Sequence, residues 1–234
     1  KCHHPEVFCA AILNAQPMGF YAPAQLIGDA QKHDIEVRPA DVNYSNWDSF
    51  LEPLGEGKFA VRLGLRQIDG LSEAQAQIIM DLREAGFDTP DELRQKTGLS
   101  RSVLERLAAA DTFRSMGLDR RAALWAIRGQ AQGAPYDLFT HTDVEEQGTD
   151  ADVKLPDMPL SEHVIQDYHT TRFSLKGHPI SFLRERYGRM GLRTAKEIYE
   201  LRSGSRVAVA GIVLVRQRPG TASGVVFVTL EDET

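Results

Sequence analysis

Long apolar runs are missing from this chain. Nowhere in its 234 residues does an apolar run approach the ~18–20 residues of a membrane-spanning helix, and no signal-peptide pattern opens it. The expectation is a cytoplasmic protein with no membrane partner. Cysteine is scarce: Cys2 and Cys9 make no disulfide framework and suit a reducing compartment. Cys2, His3, His4 and Cys9 look like a metal cluster on paper. Zinc sites usually draw paired ligands from two spaced knuckles, and Cys9 falls inside an apolar helical pattern, so no metal is expected. Aromatics make up only 8% of the chain, and Trp47 and Trp125 read as core rather than as stacking platforms. Catalytic signatures are absent as well. There is no P-loop, no nucleophile–base arrangement and no close carboxylate pair on a plausible strand for two-metal chemistry, so no catalytic residue is assigned. An initiating Met is also lacking, and Leu230-Glu231-Asp232-Glu233-Thr234 stops just after an apparent strand. The chain reads as a piece of something longer.

An excess of positive charge is missing overall, since the net charge is −6. Divided by segment, the picture changes. Residues 1–59 carry −4, residues 60–128 carry +1, residues 129–160 carry −6 and residues 161–234 carry +3. One acidic stretch equals the whole deficit, so local sign matters more than the total.

What is present is a repeated glycine turn. Ile68-Asp69-Gly70-Leu71-Ser72 opens one helical pattern, Lys96-Thr97-Gly98-Leu99-Ser100 opens another 28 residues later, and Met116-Gly117-Leu118-Asp119 opens a third after 19 more. Each turn runs Gly, Leu, then a helix-capping residue. Such a turn points free backbone N–H groups and a helix N-terminus at one place, which suits a phosphate oxygen. Two short helices are expected around each turn. The stripes Ala74/Ile78/Leu82, Leu99/Val103/Leu107 and Leu118/Ala122/Trp125 are read as their buried faces.

The coarse reading is mainly α with a C-terminal β portion. Residues 1–59 hold two helices, the second from Pro23 to about His33, and a short extended piece at Ile35–Pro39. Residues 60–128 read as all helix and turn, with Thr89-Pro90-Asp91-Glu92 as a strong helix start. Residues 129–160 read as a solvated acidic linker. Residues 161–205 hold connecting helices near 161–171 and 179–189. From Arg206 the period becomes two, and nearly every position to Val215 is apolar, as in a strand covered on both faces. Val225 to Leu230 is a second strand, and 206–234 reads as the start of a small barrel.

The candidate DNA-binding residues are Arg66, Gly70, Ser72, Lys96, Gly98, Ser100 and Arg101, with Arg106 adding charge nearby. Gly70 and Gly98 permit the backbone angles that turn consecutive N–H groups toward a phosphate. The bland alternative is that Gly-Leu-Ser merely starts a helix. The third turn reads as structural, because Asp119 would repel a phosphate. Arg216 and Arg218, in the loop between the two strands, are candidates for single-stranded nucleic acid, with a solvated loop as the alternative.

These residues resemble a known family. Phe8-Cys9-Ala10-Ala11, Leu13-Asn14-Ala15-Gln16-Pro17-Met18-Gly19-Phe20-Tyr21 and Pro39-Ala40-Asp41-Val42-Asn43 look like the late fingers region of bacterial C-family DNA polymerases, the DNA polymerase III α-subunit family. The paired Gly-Leu-Ser turns and Gly117-Leu118-Asp119-Arg120-Arg121-Ala122-Ala123-Leu124-Trp125 are similar to its tandem helix-hairpin-helix module. Val209-Ala210-Gly211, Arg216-Gln217-Arg218-Pro219-Gly220 and Thr229-Leu230-Glu231-Asp232-Glu233-Thr234 look like the opening of its oligonucleotide-binding barrel. Glu162-His163-Val164, Asp167-Tyr168 and Ser174-Leu175-Lys176-Gly177-His178-Pro179 resemble the error-prone, damage-tolerance branch more than the replicative one. Pro135-Tyr136-Asp137-Leu138-Phe139 stands where replicative enzymes carry a sliding-clamp peptide, with Pro135 in place of the usual Gln.

The resemblance implies the DNA-binding portion of an error-prone DNA polymerase. Its Mg2+-dependent palm carboxylates would lie outside this segment, and its partners would be a primer–template duplex and single-stranded template. Clamp contact would run through an accessory damage-tolerance protein. A fragment of the replicative α subunit, a non-catalytic helix-hairpin-helix repair module and a protein scaffold are the alternatives.

Overall fold

Proline at the first helical position sets the start of both N-terminal helices in the structure, a computed structural model that describes residues 3–18, 21–129, 155–221 and 224–234. Helix α1 (Pro5–Asn14) buries Cys9, Ala10 and Leu13, and α2 (Pro23–Lys32) buries Ile27 and Ala30. Cys2, residues 19–20, residues 130–154 of the acidic stretch with Pro135–Phe139 among them, and Ala222-Ser223 lie outside the described residues. No described helix is long and apolar enough to cross a membrane.

The chain forms two compact units. The first is residues 1–158 with 166–173. Its sheet is ordered β1–β3–β2: β1 (Val37–Arg38) runs parallel to β3 (Lys58–Arg62), and β2 (Phe50–Gly55) pairs with β3 as an antiparallel hairpin. This corrects the reading of residues 60 onward as all helix and turn, since Ala60, Val61 and Arg62 are strand. Pro53 masked the hairpin; it is tolerated because β2 is an edge strand. Glu56 and Gly57 form the turn with φ of 51° and 75°, the double-positive geometry of a two-residue hairpin. Glu52 on β2 accepts from Arg62 Nε (2.7 Å) and Arg38 Nη1 (2.8 Å). Burial alone would raise its carboxyl pKa, but the two guanidiniums hold it below the usual range.

A polar latch joins this sheet to the helices. Asp41 accepts from Ser115 Oγ (2.7 Å) and Ser115 N (3.0 Å). Asn43 pairs with both backbone groups of Phe87, donating to its O and accepting from its N, each at 2.8 Å. Ser45 Oγ donates to Leu63 O (2.7 Å). Asp41 and Ser45 are buried, so these bonds satisfy groups that would otherwise be costly to desolvate. The Pro39–Asn43 string therefore fastens the sheet to the helices.

Four helices follow: α3 (Glu73–Leu82), α4 (Pro90–Thr97), α5 (Arg101–Ala109) and α6 (Arg120–Gly129). Thr89 caps α4 through Glu92 N (3.1 Å), as its sequence foretells. Only the second glycine turn has α-helices on both sides. The first and third are preceded by 3-10 turns, Leu65–Gln67 and Arg114–Met116. The stripe Leu99/Val103/Leu107 is buried, but Ile78 and Leu82 are exposed, and α3 buries Ala76 and Ile79 instead. In α3 apolar residues stand on two faces, so period alone picks the wrong one.

Helix α6 also turns a face other than the expected one inward: Arg120, Ala123 and Ile127. Arg120 is 1% exposed and pairs with the Asp167 carboxylate while donating to Ala109 O (2.6 Å). This buried pair fixes the helix rotation and leaves Trp125 58% exposed, against its assignment to the core.

The second unit holds residues 159–165 and 174–234. Helix α7 (Leu160–Thr170) begins in it, followed by a 3-10 turn (Pro179–Leu183), α8 (Arg184–Arg189) and α9 (Ala195–Tyr199). A two-stranded sheet of β4 (Ile212–Gln217) and β5 (Phe227–Glu231) completes it. Val209 makes only an isolated bridge to Arg193, and the regular strand starts at Ile212, six residues after the change of period at Arg206. Val213, Leu214, Val215, Phe227 and Val228 are exposed, which corrects the expectation of a strand covered on both faces. The acids after β5 are ties: Arg184 pairs with Glu233 and with Asp232, and Asp232 accepts from Ala195 N (2.7 Å) at the start of α9.

Candidate nucleic-acid interface

The second hairpin is the most open of the three. Gly98 ends α4 in the left-handed region (φ 62°), with its N–H donating to Arg94 O (2.9 Å). A Cβ there would meet nothing within 4 Å, so backbone conformation is what selects glycine. Ser100 occupies the cap position but makes no side-chain cap bond. Its hydroxyl lies 2.9 Å from Ser102 Oγ instead. Among the described residues no hydrogen bond engages the backbone N–H of Ser100, Arg101 or Ser102. Three donors, two hydroxyls and the positive end of a nine-residue helix converge there, the arrangement that receives an anionic oxygen. Arg101 stands beside them, with Nε 3.3 Å from Glu105 and Nη2 donating to Arg128 O (3.1 Å).

Lys96 sits one turn earlier, paired with Glu92 (2.8 Å) and 5.8 Å from the Phe87 ring centroid. Each partner shifts the other in the direction of ionisation, Lys96 upward and Glu92 downward. Part of the lysine's field is thus already answered within the fold.

The first hairpin is held more tightly. Gly70 has φ 76°, and Ser72 forms a reciprocal capping box with Gln75. The Ser72 hydroxyl oxygen accepts from Gln75 N (3.3 Å), which leaves its own O–H proton able to donate. Asp69 N–H donates to Thr170 O (2.8 Å), and the Asp69 carboxylate pairs with Arg172. Arg106, from the second helix of the second hairpin, donates to Gly70 O (2.7 Å), and its Nε lies 3.2 Å from where a Gly70 Cβ would stand. One arginine thereby fixes the two turns relative to each other. Nothing in the local sequence pairs these residues; 36 positions separate them.

Arg66 is placed away from either turn. Its guanidinium donates to Asn14 O (2.7 Å), Gln16 O (3.0 Å) and Asp48 (2.5 Å), and lies 5.9 Å from the Trp47 ring centroid. In this structure those contacts tie α1 to the segment before the first hairpin. The third turn has an acid in the anion's position: Asp119 accepts from Ala122 N (2.7 Å), capping α6 with its own carboxylate. Arg216, within β4, and Arg218, just beyond it, are exposed in the second unit. No group of three His, Cys, Asp or Glu among the described residues is arranged to hold a metal. Cys9 is buried and its thiol is pushed up to about 11, by desolvation first and the Asp29 charge second, so it is a packing residue rather than a nucleophile.

Comparison with known proteins agrees with this geometry. Residues 34–123 match the helix-hairpin-helix motif. The error-prone DNA polymerase of Brucella abortus biovar 1 (strain 9-941) is 49% identical over 234 residues, which is all of this chain and 22% of that protein. This chain is similar throughout to error-prone DNA polymerases. The Sinorhizobium medicae (strain WSM419) polymerase is 47% identical over 257 residues, and that of Rhodopseudomonas palustris (strain HaA2) is 46% identical over 254. In both cases all of this chain is matched, against 23% and 22% of the relative. The chain thus spans just over a fifth of the error-prone polymerases it matches. The motif begins at residue 34, before the first glycine turn, and so takes in the latch residues Asp41, Asn43 and Ser45 that hold the hairpins on their sheet.

Proposed function

We propose that this chain is the DNA-holding part of an error-prone DNA polymerase, in which the two Gly-Leu-Ser hairpins grip duplex phosphates while nucleotide addition proceeds elsewhere. The observation that carries the reading is the open N-terminus of α5, where the Ser100, Arg101 and Ser102 N–H groups have no hydrogen-bond partner among the described residues. Backbone amides bind phosphate oxygens without reading sequence, which is what an enzyme that must accept any template requires. Gly98, Ser100 and Arg101 make the principal contact, with Gly70, Ser72 and Lys96 supporting it, and Arg66 contributing through the position it gives the first hairpin. Arg216 and Arg218 contact single-stranded template. The parent enzyme is cytoplasmic and acts in translesion synthesis and repair. It meets the sliding clamp through an accessory damage-tolerance protein. Mg2+ would serve the polymerisation step of the whole enzyme, and the residues described here offer it no donor set.

The test is binding of a blunt duplex across a salt series. Affinity should fall steeply with salt. Gly98→Val, with its fold verified by circular dichroism, should lose most of it, and Arg101→Ala should weaken binding and flatten the salt slope. Unchanged affinity in a folded Gly98→Val protein would make the turns purely structural.

A further inference from the structure

Helix α6 presents a second, solvent-facing side. With Arg120, Ala123 and Ile127 turned inward, the residues Arg121, Trp125 and Arg128 share the opposite arc at i, i+4 and i+7. Trp125 is 58% exposed and the Arg128 side chain 63%. This face is joined to the second hairpin. Glu105 Oε1 is 3.2 Å from Arg128 Nε and 3.3 Å from Arg101 Nε, and Arg101 donates to Arg128 O. The indole therefore stands about one helical turn, or ~5 Å along the axis, from a residue bonded to the first residue of α5.

An indole flanked by arginines suits an anionic partner with flat faces better than an apolar protein groove. In a duplex the bases already cover one another's faces, so a ring on this surface finds a stacking partner only where a base is unpaired. We propose that Trp125 stacks on an unpaired base of single-stranded DNA, with Arg128 on the adjoining phosphates. The site extends the grip of the second hairpin from duplex to unpaired strand, and it rests on the hairpin reading for its place beside the DNA.

The experiment uses labelled oligo-dT and blunt duplex, each titrated by fluorescence anisotropy with the full chain and with Trp125→Ala at one salt concentration. In parallel, the Trp47→Phe protein leaves Trp125 as the single tryptophan of the two and reports stacking as quenching. The expected result is quenching by oligo-dT and about a tenfold loss of oligo-dT affinity in Trp125→Ala, with blunt-duplex affinity unchanged. Unaltered oligo-dT affinity in Trp125→Ala overturns the proposal, as does an equal loss on both substrates. A Trp125 emission shift that follows protein concentration without DNA also overturns it, because a second copy would then cover this face. Failure of the hairpin reading is seen separately, as unchanged blunt-duplex affinity in a folded Gly98→Val protein.

Discussion

Replacing Gly64 by alanine should destabilise the first unit sharply, although the backbone there is ordinary. Its φ of −75° and ψ of 156° are open to any residue; space is what forbids a side chain. A Cβ would stand 2.5 Å from Asp48 C and 2.7 Å from Ser49 N, backbone atoms that have no rotamer to escape into. Relief requires the strand exit to withdraw from residues 46–49. That sacrifices Gly64 N–H to Ser49 Oγ (3.1 Å), Leu65 N–H to Asn46 O (2.8 Å) and Arg66 N–H to Trp47 O (3.1 Å). At about 1 kcal/mol each the loss is ~3 kcal/mol, a large share of the ~5–15 kcal/mol that keeps a domain folded. With a urea slope of ~1–3 kcal/mol/M, the midpoint should fall by at least ~1 M. Equilibrium urea unfolding read by Trp47 fluorescence in a Trp125→Phe background reports it directly, because Trp47 O is one of the lost acceptors. Gly28→Ala is the control. It lies within α2 and its Cβ would meet nothing within 4 Å, so it should stabilise by about 0.5–1 kcal/mol. A Gly64→Ala midpoint within ~0.2 M of the parent would refute the steric reasoning.

Asp167→Ala removes the carboxylate from the buried Arg120 guanidinium and should cost about 3–5 kcal/mol, measured by thermal denaturation. Asp119→Ala should cost ~1 kcal/mol through loss of the α6 cap, while Asp119→Ser should restore most of it by the same measurement. Glu233 and Asp232 lie below their ordinary values of 4.5 and 3.8: the Arg184 hydrogen bond holds Glu233 down, and for Asp232 the Ala195 and Thr234 donors outweigh burial, which alone would raise it. Their contribution is therefore complete above those ordinary values and disappears as pH falls through the depressed ones. Amide-exchange protection at Ala195 should drop over that acid range, and a flat profile would contradict the tie between Asp232 and α9.

The sequence disclosed what local chemistry controls. The Thr89-Pro90 helix start, the glycine turns and the stripe Leu99/Val103/Leu107 are all in place, since caps, positive φ and a one-sided helix need no distant partner. The α3 stripe went astray because that helix is apolar on two faces; the other misreadings in the first unit involve partners far along the chain. Trp125 reads as core until Asp167, 47 residues beyond Arg120, draws a charged residue inward and rotates the helix. The β2–β3 hairpin hides behind Pro53 because its edge position depends on β1. Arg66 and Arg106 look alike as basic residues near a turn. One is absorbed by α1 and Asp48 and the other locks Gly70, a difference that no composition window carries. In the second unit the apolar alternation after Arg206 is real, but the faces it would bury stay in solvent.

The third turn bears on how such an array diversifies. Its backbone bend is that of the second, with φ of 72° at Gly117 against 62° at Gly98, yet Asp119 plugs the helix end that Ser100 leaves vacant. The two turns thus share a left-handed glycine and part company at the cap side chain and in what leads into them, α4 before Gly98 and a 3-10 turn before Gly117. On the function proposed above, a codon change at the cap would be enough to open or plug a helix end facing the sugar–phosphate rail.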